Sequence, residues 1–295
     1  MRHPALTAAL AYLLSICPYH ESCMSSRDVE IIRDIPYARA SGHWSANMAR
    51  DNDVLAQIRM FRHTRAEREL ELTMDIYRPA DGERHPLVML IHGGAYYANS
   101  KDSPPVSNLC RDIAGQGYVC ASINYRMGYR LNRSSVQKAR MNALEDASDA
   151  MNFLLGHSVD YAIDTTSVFI GGASSGAITA LMLADGVPNL KGIINMWGGV
   201  DSLDCLDGCQ APILSIHGDR DKTVPYEEGY PLGGRLMGYL YGSKAIMDRC
   251  RTIGREAELL TLEGYRHAPY RNRDFSLNQN YEIIRDRIID FLKSH

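Results

Sequence analysis

The sequence predicts an α/β fold with a mostly parallel central sheet flanked by helices. Three observations predict it. Short apolar, β-type runs alternate with helix-like runs from about residue 87 onward. Several of these runs, Leu87-Val88-Met89-Leu90-Ile91 among them, are continuously apolar, as strands covered on both faces are. The runs lead into loops rich in glycine and polar residues, where open α/β sheets bind their ligands.

The elements follow in order. Residues 26–53 are polar and irregular, with room for a short helix. Residues 55–62 and 69–77 alternate enough to be antiparallel opening strands. Pro79-Ala80-Asp81-Gly82 is a turn. A strand then runs to Ile91, a helix over 106–115, a strand over 119–123 and a long helix over 135–155. A strand at 167–170 and a helix at 177–184 come next, followed by strands at 192–197, 212–217 and 256–262 and a last helix. From Trp197 to Asp221 is only 24 residues, including a strand, so no large cap domain fits there. The Gly- and Tyr-rich stretch 226–241, with Tyr230, Leu236, Met237 and Tyr239, is the candidate cover for a site.

A chain of 295 residues suffices for one large core, and residues 26–295 read as a single domain. An apolar content of 45% and a charged content of 23% are ordinary for a globular protein. A net charge of −3 speaks against a nucleic-acid or anionic-membrane partner, which would want a basic face. The first 25 residues read as a signal peptide: Met1-Arg2-His3 is basic, and residues 4–16 are uncharged and mostly apolar but too short to span a bilayer. Export is therefore expected. Leu14-Ser15-Ile16-Cys17 loosely resembles a lipoprotein cleavage box, which makes a lipid anchor at Cys17 one option and cleavage near Ser25 another. Of the seven cysteines, Cys120 lies in an apolar run, and Cys205 and Cys209 flank a short turn that a small-loop disulfide would suit. That pair lacks the second pair a zinc site needs, and neither H-E-x-x-H nor a phosphate-cradling glycine loop is present, so no metal or organic cofactor is expected.

The segment Gly172-Ala173-Ser174-Ser175-Gly176 fits G-x-S-x-G between a strand and a helix. Such a turn exposes a serine hydroxyl above the sheet, and the register of the glycines selects Ser174. Attack by a serine on a carbonyl builds charge that preorganised N–H donors must meet. His92-Gly93-Gly94-Ala95-Tyr96, directly after a buried strand, offers the amides of Gly94 and Ala95, and Ser175 offers a third. Tyr96 and Tyr97 are expected to line the site and stack on a ring of the substrate. An acid is expected after the 212–217 strand. Asp219 and Asp221 both qualify, and Asp221 leads because it sits deeper in the loop, ahead of Val224-Pro225. His267, in a loop between the last strand and the last helix, completes the order Ser, Asp, His as general base and then acid.

Together with Ser122-Ile123-Asn124-Tyr125-Arg126-Met127-Gly128, Trp197-Gly198-Gly199 and Tyr241-Gly242-Ser243, these motifs resemble the α/β-hydrolase superfamily, within its H-G-G carboxylesterases. The nearest likeness is to bacterial esterases of the acetyl-xylan and feruloyl type. The resemblance implies a serine esterase acting through an acyl-enzyme on short-chain acyl or hydroxycinnamoyl esters, either small molecules or groups on plant polysaccharide. Arg266 departs from the pattern, where a small residue is usual, and so does Asp219 in the His217 loop. An amide hydrolase of the same fold (a peptidase or formamidase) is the second reading, although the chain has no room for the extra domain such peptidases carry. A catalytically dead binding module is the third, opposed by the complete set of catalytic residue types.

Overall fold

The computed structural model describes residues 28–45, 66–272 and 276–295. The leader at residues 1–25 and the strand expected at residues 55–62 lie outside these.

Eight strands form one sheet: β1 (Val29–Gly42), β2 (Arg68–Pro79), β3 (His85–Ile91), β4 (Val119–Ile123), β5 (Ile163–Ala173), β6 (Leu190–Met196), β7 (Ile213–Gly218) and β8 (Ala257–Leu262). Their spatial order is β1-β2-β4-β3-β5-β6-β7-β8. The pairs β1·β2 and β2·β4 are antiparallel, and every later pair is parallel. Among the described residues, five helices cover the sheet: α1 (Pro104–Gly115), α2 (Arg133–Gly156), α3 (Ser175–Leu183), α4 (Ser243–Ile253) and α5 (Asn280–Ser294). None among the described residues is long and apolar enough to cross a membrane.

The pleat sorts the core into two layers. Leu87, Met89 and Ile91 of β3 face one core with Ala139, Ala143 and Ala147 of α2, Ala180 of α3 and Ile246 of α4. Val88 and Leu90 face the other with Val106 and Leu109 of α1 and Ile284, Ile288 and Phe291 of α5. Burial on both faces is why β3 and β4 read as continuous apolar runs in the sequence. The alanines of α2 recur at helical spacing, so the long helix lies close to the sheet. It starts at Asn132, whose side chain accepts from Ser135 N at 2.9 Å and caps the first turn.

The sequence reading misses β1. Residues 29–42 form a 14-residue edge strand where irregular chain was expected. Its pairing with β2 shifts register between Ile32 and Ile35 and again between Pro36 and Ala38, which breaks the alternation that identifies strands. Asp34 lies within the first shift at φ 54°, and its N–H donates to Asp75 Oδ1 at 2.8 Å. The stretch 226–241 forms a compact hairpin. Glu228–Gly229 pairs with Leu240–Tyr241, and two short 3₁₀ turns lie between them. Tyr230, Tyr239 and Tyr241 meet edge to face at 5.1 and 5.5 Å. Cys205 and Cys209, whose pairing the sequence leaves open, are free thiols.

The connection from β5 to α3 fixes the centre of the molecule. A Cβ on Gly176 would stand 2.1 Å from the Ile91 carbonyl oxygen, and one on Gly172 would stand 2.5 Å from the Gly176 carbonyl carbon. Backbone presses on backbone here, and no side chain can move aside. Gly176→Ala is therefore expected to cost about 3 kcal/mol or more. Gly156→Ala, at a position with nothing within 4 Å of the added carbon, should leave stability unchanged or slightly raised. Urea unfolding of the two variants beside the wild type checks the contrast.

Candidate active site

Ser174 stands between β5 and α3 with φ 55° and ψ −119°. A residue with a side chain rarely adopts this backbone, at a cost of about 1–3 kcal/mol. Two bonds hold it: Ser174 N donates to Met196 O at 2.9 Å, and Ile178 N donates to Ser174 O at 3.0 Å. The side chain is thereby lifted off the sheet at the N-terminus of α3, where the helix dipole favours negative charge.

His267 Nε2 lies 2.9 Å from Ser174 Oγ, and His267 Nδ1 lies 2.6 Å from Asp221 Oδ2. A carboxylate can only accept, so Nδ1 carries a proton and Nε2 is free to accept from the serine hydroxyl. Three residues separated by scores of positions in the chain thus form one hydrogen-bonded line. They come from the ends of β5, β7 and β8, the carboxyl edge of the parallel sheet. Asp219 is elsewhere. It is exposed, and its Oδ1 accepts from Gly264 N, which shapes the turn that leads to His267. Arg266 is exposed beside the histidine.

Asp221 is buried, and burial alone would raise its pKa. Its hydrogen bonds outweigh that and bring it down to about 2. His217 and His267 bond Oδ2, while the N–H groups of Thr223 and Val224 donate to Oδ1 at 2.7 and 3.1 Å. His217 is a residue the sequence reading places in the loop without a role. It is fully buried, and its Nε2 faces both Asp221 Oδ2 at 3.1 Å and the Val224 carbonyl at 3.2 Å. Both neighbours accept, so Nε2 carries the proton. Nδ1 meets Ser243 Oγ at 2.8 Å, and Ser243 in turn accepts from Asn195 Nδ2 at 3.2 Å. The available signal was the four-residue spacing of His217 and Asp221 across a tight strand end.

The loop after β3 approaches from the other side. Gly94 has φ 123°, and a Cβ there would fall 1.9 Å from the Ala98 carbonyl oxygen, so only glycine fits. Ala95 and Tyr96 continue with φ 55° and 59°. His92 supports the loop from below. Its Nδ1–H donates to Gly93 O at 2.7 Å, and its ring stacks on Tyr125 with 4.4 Å between centroids. Burial pushes the His92 pKa down to about 4, so the ring is neutral at ordinary pH. Tyr125 closes the support by donating to His92 O at 3.0 Å.

The two tyrosines of the loop part company. Tyr97 is half-buried and meets the Tyr129 ring edge-on at 5.3 Å. The Tyr129 hydroxyl reaches Met237 Sδ of the cover at 4.0 Å. Tyr96 has no exposed surface, so the stacking role expected of it does not fit. Its hydroxyl turns inward to Thr179 Oγ1 at 3.5 Å. Among the described residues no three His, Cys, Asp or Glu side chains gather in a way that would hold a metal ion.

The chain matches known proteins at several levels. Residues 74–197 match the BD-FAE family model, a span that holds the loop after β3 and the Ser174 turn. The curated Gut esterase 1 of Caenorhabditis elegans is 26% identical over 114 residues, which is 38% of this chain. Gibberellin receptor GID1C of Arabidopsis thaliana is 32% identical over 87 residues, which is 29% of this chain. These matches span only 20% and 25% of the two relatives' own lengths. Among solved structures, a thermophilic esterase of the planctomycete Thermogutta terrifontis superposes with a TM-score of 0.58 at 18% identity, over 76% of this chain and 88% of that one. The sheet order, the turn at Ser174 and the structural likeness show an α/β-hydrolase fold, and residues 74–197 are similar to the BD-FAE family.

Proposed function

We propose that the protein is a serine carboxylesterase acting on short-chain acyl esters through a Ser174–His267–Asp221 triad. The observation that carries the reading is the continuous line from Ser174 Oγ through His267 to Asp221, at 2.9 and 2.6 Å. His267 Nε2 takes the proton as Ser174 Oγ attacks the ester carbonyl. Asp221 holds the ring in the Nδ1–H tautomer and stabilises its charge. The amides of Gly94, Ala95 and Ser175 receive the oxyanion. His267 then passes the proton to the leaving alcohol, and water releases the acyl group by the same route in reverse. None of these steps calls on a metal or an organic cofactor.

The short acyl preference has two supports. The cover reaches Tyr129 through Met237, and Tyr129 packs on Tyr97, three residues past Gly94, so the cover and the loop share one wall. The T. terrifontis esterase has been solved with propionate and with butyrate bound, and also phosphonylated by sarin. Hydroxycinnamoyl or acetyl groups on plant polysaccharide are the wider substrate class we propose, with secretion directed by residues 1–25. The gibberellin receptor likeness favours a binding module as the second reading, but the assembled triad is machinery that a receptor would not require.

Hydrolysis of p-nitrophenyl esters from acetate to decanoate tests the reading. Turnover should be fastest with acetate, fall with chain length and vanish in Ser174→Ala. Activity that survives the substitution would contradict the mechanism, and ligand binding without turnover would favour the module.

Asp221 makes a second prediction. Its folded pKa of about 2 lies below the value of about 3.9 for a free Asp, so folding favours the carboxylate. That contribution is whole above about pH 4 and is lost as pH falls through about 2. The melting-temperature gap between the wild type and Asp221→Asn should therefore be open at pH 6 and close over that window. At neutral pH the same variant should lose about 10³- to 10⁴-fold in kcat, because His267 is no longer held in the Nδ1–H tautomer.

A further inference from the structure

Gly94, Ala95 and Tyr96 hold positive φ in succession, at 123°, 55° and 59°. Two of the three carry side chains, and such backbone persists only where its surroundings over-determine it. The Tyr96 ring is fully buried, edge-on to Tyr125 with 6.4 Å between centroids. Its hydroxyl meets Thr179 Oγ1 at 3.5 Å. Thr179 lies one turn beyond Ser175 on α3, and its hydroxyl donates to the Ser175 carbonyl oxygen at 3.0 Å. Thr179 Oγ1 also donates toward the Tyr96 hydroxyl oxygen at 3.5 Å, so its proton is shared between the two acceptors. Behind Tyr96 stands Arg140 of α2, buried and paired with Asp201 Oδ2 at 3.2 Å. Burial raises the Tyr96 pKa, and the Arg140 charge works against that rise. The Thr179 hydroxyl therefore bridges the Tyr96 hydroxyl oxygen of the loop and the Ser175 carbonyl of the helix.

We propose that Tyr96 is a positioning residue whose hydroxyl, through Thr179, ties the loop bearing the Gly94 and Ala95 amides to the helix turn bearing the Ser175 amide. The tie sets the gap between the two halves of the oxyanion hole. The inference rests on the esterase reading. Donors in such a hole are matched to the oxyanion of the transition state and less closely to the ground-state carbonyl. Loosening the gap therefore slows the chemical step and leaves substrate binding nearly unchanged.

The test compares Tyr96→Phe, Thr179→Val, Thr179→Ser and the double variant Tyr96→Phe/Thr179→Val with the wild type on p-nitrophenyl acetate. Tyr96→Phe and Thr179→Val should each lower kcat about tenfold with KM within about twofold. Thr179→Ser, which keeps the hydroxyl, should restore wild-type kcat, and the double variant should be no worse than either single one. An aryl trifluoromethyl ketone, whose hemiketal oxygen occupies the hole, should lose affinity in Tyr96→Phe by the same factor as kcat. Wild-type kcat and ketone affinity in Tyr96→Phe, a change in KM alone, or a Thr179→Ser variant as slow as Thr179→Val would each overturn the proposal. If Tyr96→Phe does not fold, the Thr179 pair decides the matter by itself. A wild-type protein without Ser174-dependent turnover would overturn the esterase reading first, and this inference with it.

Discussion

Ser174 keeps its strained backbone because β3, β5 and α3 cross at contact distance, with Gly172 and Gly176 at the crossing. The rest of the site depends on that approach. It brings the N-terminus of α3 beneath the serine and places the Ser175 amide on the side of the loop that follows β3. It also orders the carboxyl ends of β5, β7 and β8 along one edge, so the three loops that deliver Ser174, Asp221 and His267 converge. The crossing tolerates no side chain, so a stable core and the strained turn at Ser174 come from one geometric condition. Core packing on both faces, with α2 and α3 on one side and α1 and α5 on the other, offsets the strain stored at the turn.

Two supporting networks flank the serine, one on each side. On the acid side, His217, Thr223 and Val224 give Asp221 enough donors to stay ionised despite burial. Ser243 and Asn195 extend that network toward α4 and β6. On the other side, His92 and Tyr125 support the loop after β3, and Tyr96 and Thr179 connect it to α3. Each network is largely buried and held by hydrogen bonds, which fixes positions. The hairpin at 226–241 reaches Tyr129 through Met237.

Most of this architecture was legible in the residues, for physical reasons. Strands β3 and β4 are buried on both faces and therefore read as unbroken apolar runs. The G-x-S-x-G spacing is legible because steric exclusion at Gly172 and Gly176 leaves no alternative. Strand β1 was not legible: it lies at the sheet edge, and its register shifts erase the period-two signal. The role of His217 was hidden because its partner across the strand end is a loop residue whose position depends on the fold. Tyr96 was read as facing the substrate because it follows the glycines of the loop after β3. Three successive positive φ values turn it inward, and no sequence pattern carries that torsion.

The most direct test of the central claim is to treat the full chain with a fluorophosphonate and map the adduct by peptide mass spectrometry. An activated serine reacts with such a reagent, and the other serines of a folded protein do not. The account predicts one stoichiometric adduct on the peptide holding Ser174, strongly slowed in His267→Ala. No adduct under conditions where the chain is folded, or an adduct on another residue, would contradict it.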